Sequence, residues 1–212
     1  LAIPLPFSGK LFPGVEDSLK KLKGNFDVYI LRDAPEDLDK GDRIWRISRC
    51  RERIRQYFLS HPEYDSLLFI DADIVFPENT LELLSSFDGD VIIHTYQGEE
   101  NIGKKRKMPK VNFPTIKIKN GKIIVYSGLG CVLIKRKVLE VCDFVLNVES
   151  WESLWGEDVT FYRQVHDYGF KVTILEDNLN LIHLSKTLER ESFWKQLKDN
   201  PSEFKKWGKS QR

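Results

Sequence analysis

Residues 67–84, LLFIDADIVFPENTLELL, decide how this chain folds. The run Leu67 to Ile70 is short and continuously apolar, as in a strand buried on both faces. It stops abruptly at Asp71-Ala72-Asp73, and Pro77 and Asn79 then introduce a helix through Phe87. Strand, acidic turn and helix in succession are the repeating unit of an α/β domain. Two carboxylates separated by one residue, leaving such a strand, can approach one divalent cation directly or through water. Hard oxygen ligands suit magnesium or manganese, and substrate phosphates commonly complete the shell. The end of a strand in an open α/β sheet is also where ligands bind. The plain alternative is that Asp71 and Asp73 only stop the strand and cap its turn.

Working outward, Leu1 to Leu5 and Asp27 to Leu31 read as strands, with helices expected over Val15 to Lys23 and Arg43 to Leu59. Downstream, Asp90 to His94 reads as a strand and Lys104 to Lys110 as a basic loop. Thr115 to Lys119 and Lys122 to Tyr126 alternate about Asn120-Gly121, which predicts a hairpin. Val132 to Ile134 continues as a strand, Arg136 to Val141 as a helix, and Asp158 to Tyr168 as a helix that Gly169 ends. Val172 to Leu175 is the last strand expected. No internal repeat interrupts this order, which predicts one α/β domain with a mainly parallel sheet.

The 212 residues are 41% apolar and 12% aromatic, enough for a buried core and unlike a disordered chain. With 33 basic and 32 acidic residues the net charge is +1, so the chain as a whole is not built to bind polyanions. Cys50, Cys131 and Cys142 form no CxxC pair, which argues against a zinc cage or disulfide framework and for a reducing, cytoplasmic setting. No apolar run reaches the roughly 20 residues of a membrane helix, and the start lacks the pattern of a signal peptide.

LLFIDADIVFPENTLELL resembles the nucleotide-sugar site of GT-A type glycosyltransferases, whose metal-binding DxD ends a strand in this way. Other segments resemble the family in the same order. Leu1 to Pro6 (LAIPLP) looks like its first strand and donor loop, and Ile47 to Arg51 (ISRCR) like the helix before the DxD strand. Gly128 to Arg136 (GLGCVLIKR) looks like its glycine turn and following strand. Gly156 to Arg163 (GEDVTFYR) is similar to its acidic acceptor-side motif, and Asn180 to Leu184 (NLIHL) places His183 where many members have a histidine metal ligand. Two departures are Glu52, where asparagine often follows the helix arginine, and Cys131, where an aromatic or small residue is common.

The resemblance implies a single GT-A, Rossmann-like domain over residues 1–184, with helices on both faces of a mainly parallel sheet and a small antiparallel hairpin. It divides into a nucleotide-sugar half (1–95) and an acceptor-side half (96–184), followed by a basic amphipathic extension (185–212). It implies Mn2+ or Mg2+ held by Asp71, Asp73 and His183, and a nucleoside diphosphate sugar as donor, contacted by Pro4, Leu5, Asp33, Arg51, Asp71 and Ala72, with Arg49 a further candidate on the same helix. It also makes Asp158 the preferred base for a hydroxyl acceptor, which favours inversion, with Glu157 beside it able to exchange that role or to bind acceptor hydroxyls.

Each residue has a plainer role. His183 can be a hydrogen-bonded core histidine, Glu157 and Asp158 can complement the positive end of a helix dipole, and the five arginines between residues 46 and 55 can be a solvated face paired to Glu52. Trp151 and Trp155 can stack on a sugar or belong to the core.

From Gly103 to Lys137 there are eleven Lys or Arg and no Asp or Glu. Such a stretch attracts an acidic acceptor such as a lipid diphosphate or an anionic glycan, or a membrane surface; nucleic acid fits on charge alone but is not expected as a partner. The extension adds Phe193, Trp194, Leu197, Phe204 and Trp207 among basic residues, which suits an amphipathic helix that packs on the domain, or one in peripheral association with a membrane or partner. Two other classes compete with a transferase. DADIV looks like the nucleophile motif of haloacid-dehalogenase-like phosphatases, although that motif normally opens the chain. A binding protein without activity on the same fold is the other.

Overall fold

The computed structural model describes residues 1–5, 11, 13–32, 43–95, 97–98, 115–119, 122–146, 156–175, 179 and 181–183. Asp33, Trp151, Trp155, the basic loop 104–110 and the extension 185–212 lie outside the described residues.

The first half of the chain runs β1 (Ala2–Leu5), α1 (Pro13–Lys21), β2 (Tyr29–Arg32), α2 (Arg43–Leu59), β3 (Ser66–Ile70), β4 (Ile74–Val75), α3 (Thr80–Ser86) and β5 (Val91–His94). The second half continues with β6 (Gln97–Gly98), β7 (Thr115–Lys119), β8 (Lys122–Tyr126), β9 (Cys131–Lys135), α4 (Arg136–Leu139), α5 (Glu157–Asp167), β10 (Val172–Leu175) and β11 (Ile182–His183). Helix α1 starts two residues earlier than expected, because proline is well suited to the first helical position. It ends at Lys21, ahead of Gly24 with φ 119°. Helix α4 stops at Leu139, short of the expected Val141.

The central sheet has the order β10-β5-β9-β3-β1-β2. β10 and β5 pair in parallel, as do β3 with β1 and β1 with β2, whereas β9 is antiparallel to both β3 and β5. The sheet is therefore mixed, which corrects the mainly parallel expectation at one interior strand. A parallel neighbour requires a crossover, usually helical. Helix α3 supplies one between β3 and β5, but among the described residues no helix lies between β5 and β9. The reversal has a consequence for the site: Ile70 at the end of β3 pairs with Cys131 at the start of β9. The glycine turn before β9 thus lies beside Asp71, whose N–H donates to the Gly130 carbonyl at 2.9 Å.

The two faces of the sheet each carry a core. Leu67 and Phe69 of β3 join Ile54 and Phe58 of α2, and Phe161, Tyr162 and Val165 of α5. Leu68 and Ile70 join Val15 of α1 and Leu84 of α3 on the opposite face. This is why β3 reads as an unbroken apolar run: successive residues point to opposite faces and both faces are covered. Each large apolar side chain so buried contributes roughly 1.5–3 kcal/mol.

Two smaller sheets complete the fold. β7 and β8 form the expected hairpin, with Lys119 paired to Lys122, and β8 lies against α5. A three-stranded sheet, β4-β11-β6, had no counterpart in the sequence reading, since its two-residue strands are too short to show a period. Among the described residues no helix is long and apolar enough to cross a membrane.

Candidate active site

Helix α2 carries one face of the site. Its buried positions include Ser48, Arg51, Ile54 and Phe58, so Arg51 lies on the same stripe as the apolar residues and is only 4% exposed. A buried guanidinium requires partners that restore what water supplied. Arg51 has three: Nε donates to Glu157 Oε1 at 3.0 Å, Nη2 to Asp71 Oδ1 at 2.9 Å, and Nη1 to the Leu129 carbonyl at 3.3 Å. The guanidinium also lies over the Phe69 ring, 5.1 Å from its centroid. Burial works against the charge, but Asp71 and Glu157 outweigh it and hold the Arg51 pKa above its ordinary value.

Three segments singled out in the sequence therefore meet at one side chain: the acidic turn after β3, the glycine turn before β9 and the Glu157-Asp158 pair opening α5. Pro4 and Leu5 reach the same edge, because β1 runs parallel to β3 with Ala2 opposite Phe69. Ala72 and both aspartates of the turn are half-buried, with the Asp71 side chain 31% exposed.

Asp158 follows Gly156, whose φ of 117° is open to glycine and strained for other residues. A Cβ at Gly156 would approach Asp158 Oδ1 to 2.9 Å, so the glycine also makes room for that carboxylate. Asp158 Oδ1 accepts the N–H of Val159 at 2.8 Å. Burial, and then the charge of Glu157, push the Asp158 pKa from 3.8 up to about 6, against the opposing pull of the Val159 N–H and Arg51. A half-buried carboxyl tuned toward neutrality beside a charged partner is an arrangement suited to proton transfer.

The remaining expected residues are placed as follows. His183 of β11 is paired through its backbone with Ile74, the residue after Asp73, and with Gly98. Its side chain lies outside what the structure describes, as does the whole of Asp33. Arg49 lines a groove of about 310 Å³ beside α2, together with Trp45, Arg53 and Val145. Glu52 accepts from Arg55 at 2.8 Å and from the Phe144 N–H at 3.2 Å, while Ser48 donates to the Phe144 carbonyl at 2.6 Å. The Glu52 departure thus has a structural use in clamping residue 144. Cys131, the other departure, is fully buried, and burial followed by the charge of Asp71 pushes its thiol up to about 12.

Among the described residues no group of three or more His, Cys, Asp and Glu is gathered to hold a metal ion. The chemistry of the donor set still fits one, because magnesium and manganese are commonly bound by one or two carboxylates plus substrate phosphates rather than by an all-protein cage. Two half-buried aspartates on a turn at a strand end meet that requirement.

Sequence reasoning expected Arg51 to contact the donor and did not foresee its partners Asp71, Glu157 and the Leu129 carbonyl. The signal was available: Arg51, Ile54 and Phe58 share a helical stripe, and an arginine there calls for carboxylates from elsewhere in the fold. His94 was also missed. It is buried at the end of β5, where Nδ1 faces the Thr95 carbonyl and Nε2 accepts the Leu179 N–H at 2.9 Å, which makes Nδ1 the protonated nitrogen and ties residue 179 to the sheet.

No family model matches the sequence, and no curated protein matches it. Solved structures do. A197 from STIV is 24% identical over 86% of this chain and 83% of its own, with a TM-score of 0.53. TarS from S. aureus is 18% identical over 87% of this chain and 36% of its own, with a TM-score of 0.55. A glycosyltransferase involved in glycosylation of the major capsid of PBCV-1 is 12% identical over 90% of this chain and 94% of its own, with a TM-score of 0.50. This chain spans from 36% to 60% of the TarS chains it matches. At these identities the likeness is one of fold alone, a mixed sheet flanked by helices that is consistent with a Rossmann-like GT-A fold.

Proposed function

We propose that this protein is a metal-dependent glycosyltransferase, moving a sugar from a nucleoside diphosphate sugar to a hydroxyl acceptor, with inversion favoured. The observation that carries the reading is the convergence, on buried Arg51, of the Asp71 turn, the glycine turn at Leu129 and the Glu157-Asp158 pair. The Asp158 carboxyl, raised to about 6 beside that convergence, favours an active site over a binding protein without activity. The phosphatase reading loses ground on position, since β3 lies in the interior of the sheet and third in chain order rather than first.

In this reading Pro4, Leu5, Asp33 and Ala72 line the donor, and Asp71, Asp73 and His183 hold a divalent cation. A bound cation of this kind neutralises charge developing on the departing phosphate oxygens. Asp158 accepts the acceptor hydroxyl proton as that oxygen bonds to the anomeric carbon and the bond from that carbon to the diphosphate oxygen breaks. Its raised pKa leaves it ionised at neutral pH and more basic than an ordinary aspartate. Glu157 keeps that pKa raised, and Arg51 keeps Glu157 in place.

An acidic acceptor suits the stretch from Gly103 to Lys137, which carries eleven Lys or Arg and no Asp or Glu. The three thiols are buried and form no disulfide, in keeping with a cytoplasmic setting. TarS has been crystallised with UDP-GlcNAc and with UDP, which makes uridine nucleotides the first donors to try. The test is release of nucleoside diphosphate from a panel of sugar nucleotides, with and without manganese, since slow hydrolysis needs no acceptor. Release from one donor, dependent on manganese and lost in Asp73→Ala, is expected. Absence of both release and binding for every donor would overturn the proposal.

A further inference from the structure

We propose that Arg51 is a positioning residue through which the two sides of the site answer to each other, so that cation-dependent nucleotide binding at Asp71 depends on Glu157. The inference rests on the transferase reading but is carried by a separate observation: one guanidinium is divided between two carboxylates from opposite halves of the chain. Its Nη2 is given to Asp71 and its Nε to Glu157, at 2.9 and 3.0 Å, in a site where Arg51 is 4% exposed and the Glu157 side chain 10%. Asp71 keeps 31% of its side chain open to a ligand, but the guanidinium itself has little water to adjust, so a change in the demand of one carboxylate alters what the other receives.

The direction follows from charge. While Glu157 shares the guanidinium, Asp71 is only partly neutralised and retains attraction for a divalent cation. If Glu157 loses its charge, Arg51 turns wholly to Asp71 and competes with the cation for that carboxylate. Lysine cannot substitute, because a single ammonium lacks the fork that reaches Asp71, Glu157 and the Leu129 carbonyl at once. By linkage the coupling runs both ways: what occupies Asp71 changes the hold on Glu157, and through it the setting of Asp158.

The test is calorimetric titration of UDP into the full chain, with manganese and separately with a chelator. In Glu157→Gln, with Arg51 intact, manganese-dependent UDP affinity is expected to weaken about fivefold or more, and chelator-insensitive binding to stay the same. In an Arg51→Met background the same Glu157→Gln change is expected to shift affinity by less than about twofold. Glu157→Gln affinity within about twofold of the parent protein, at an unchanged melting temperature, would overturn the coupling.

Should Arg51→Met not fold, the Glu157→Gln comparison still decides. Should the parent protein bind no UDP, that failure counts against uridine donors, and thermal unfolding without nucleotide settles the coupling. There Asp71→Asn and Glu157→Gln are expected to be non-additive, and additive shifts would overturn it.

Discussion

At Asp158 two effects act together: burial disfavours the charged carboxylate, and Glu157 adds a like charge beside it, leaving a pKa of about 6. A base must be unprotonated to act, so nucleotide release with acceptor present is expected to fall about tenfold per pH unit below pH 6 and to be flat above it. Glu157→Gln removes the second cause and moves that limb to lower pH, which a pH–rate profile checks.

The same shift bears on stability. Between the ordinary value of 3.8 and about 6 the folded state binds the proton more tightly than the unfolded chain, so stability falls as pH rises through that window. Asp158→Asn preserves an acceptor for the Val159 N–H and removes the buried charge. It is expected to be more stable by about 1–3 kcal/mol at pH 7, with the gain vanishing below pH 4, while transfer drops by a factor of about 10²–10⁴. Denaturant melts at both pH values and the transfer rate test this. At this scale the carboxylates were legible, because acidic residues at a strand end and at a helix start stand out locally. The role of Arg51 was not, since its partners at 71, 129 and 157 lie far along the chain and meet only when the sheet forms.

At the scale of the element, two glycines separate strain from function. Gly156→Ala meets both a φ of 117° and Asp158 Oδ1 at 2.9 Å, whereas Gly169→Ala meets a φ of 75° with nothing within 4 Å. Each is expected to lose about 1–3 kcal/mol of stability, but only Gly156→Ala should also impair transfer, by displacing the base; melting temperatures and rates on both variants distinguish the cases. Strand β9 carries a second expectation. Cys131 lies fully buried in it, and Cys142, after α4, is buried as well; burial foremost pushes both thiols up to about 12. Thiol reagents at pH 7 should label neither until the protein unfolds, as mass spectrometry across a denaturant series would show. Long periodic elements were readable: α2 and β10 fall where the sequence put them, and Asn120-Gly121 marked the hairpin. The direction of β9 was not readable, because side-chain alternation is the same for a strand run either way. Among the described residues no helix lies between β5 and β9, in keeping with that reversed direction.

For the whole molecule, the layered fold explains how residues distant in sequence come to share one edge. β1, β3 and the start of β9 deliver Leu5, Asp71 and Leu129 there, and α2 and α5 deliver Arg51 and Glu157 from one face. The most direct measurement is the location of a bound manganese ion, by paramagnetic broadening of backbone amide signals in the presence of a nucleoside diphosphate. Signals of Asp71, Ala72, Asp73 and Gly130 should broaden first, and the broadening should disappear in Asp73→Ala. Manganese that broadened a different part of the molecule, or broadened these residues equally in Asp73→Ala, would contradict a metal-dependent transferase site at the end of β3.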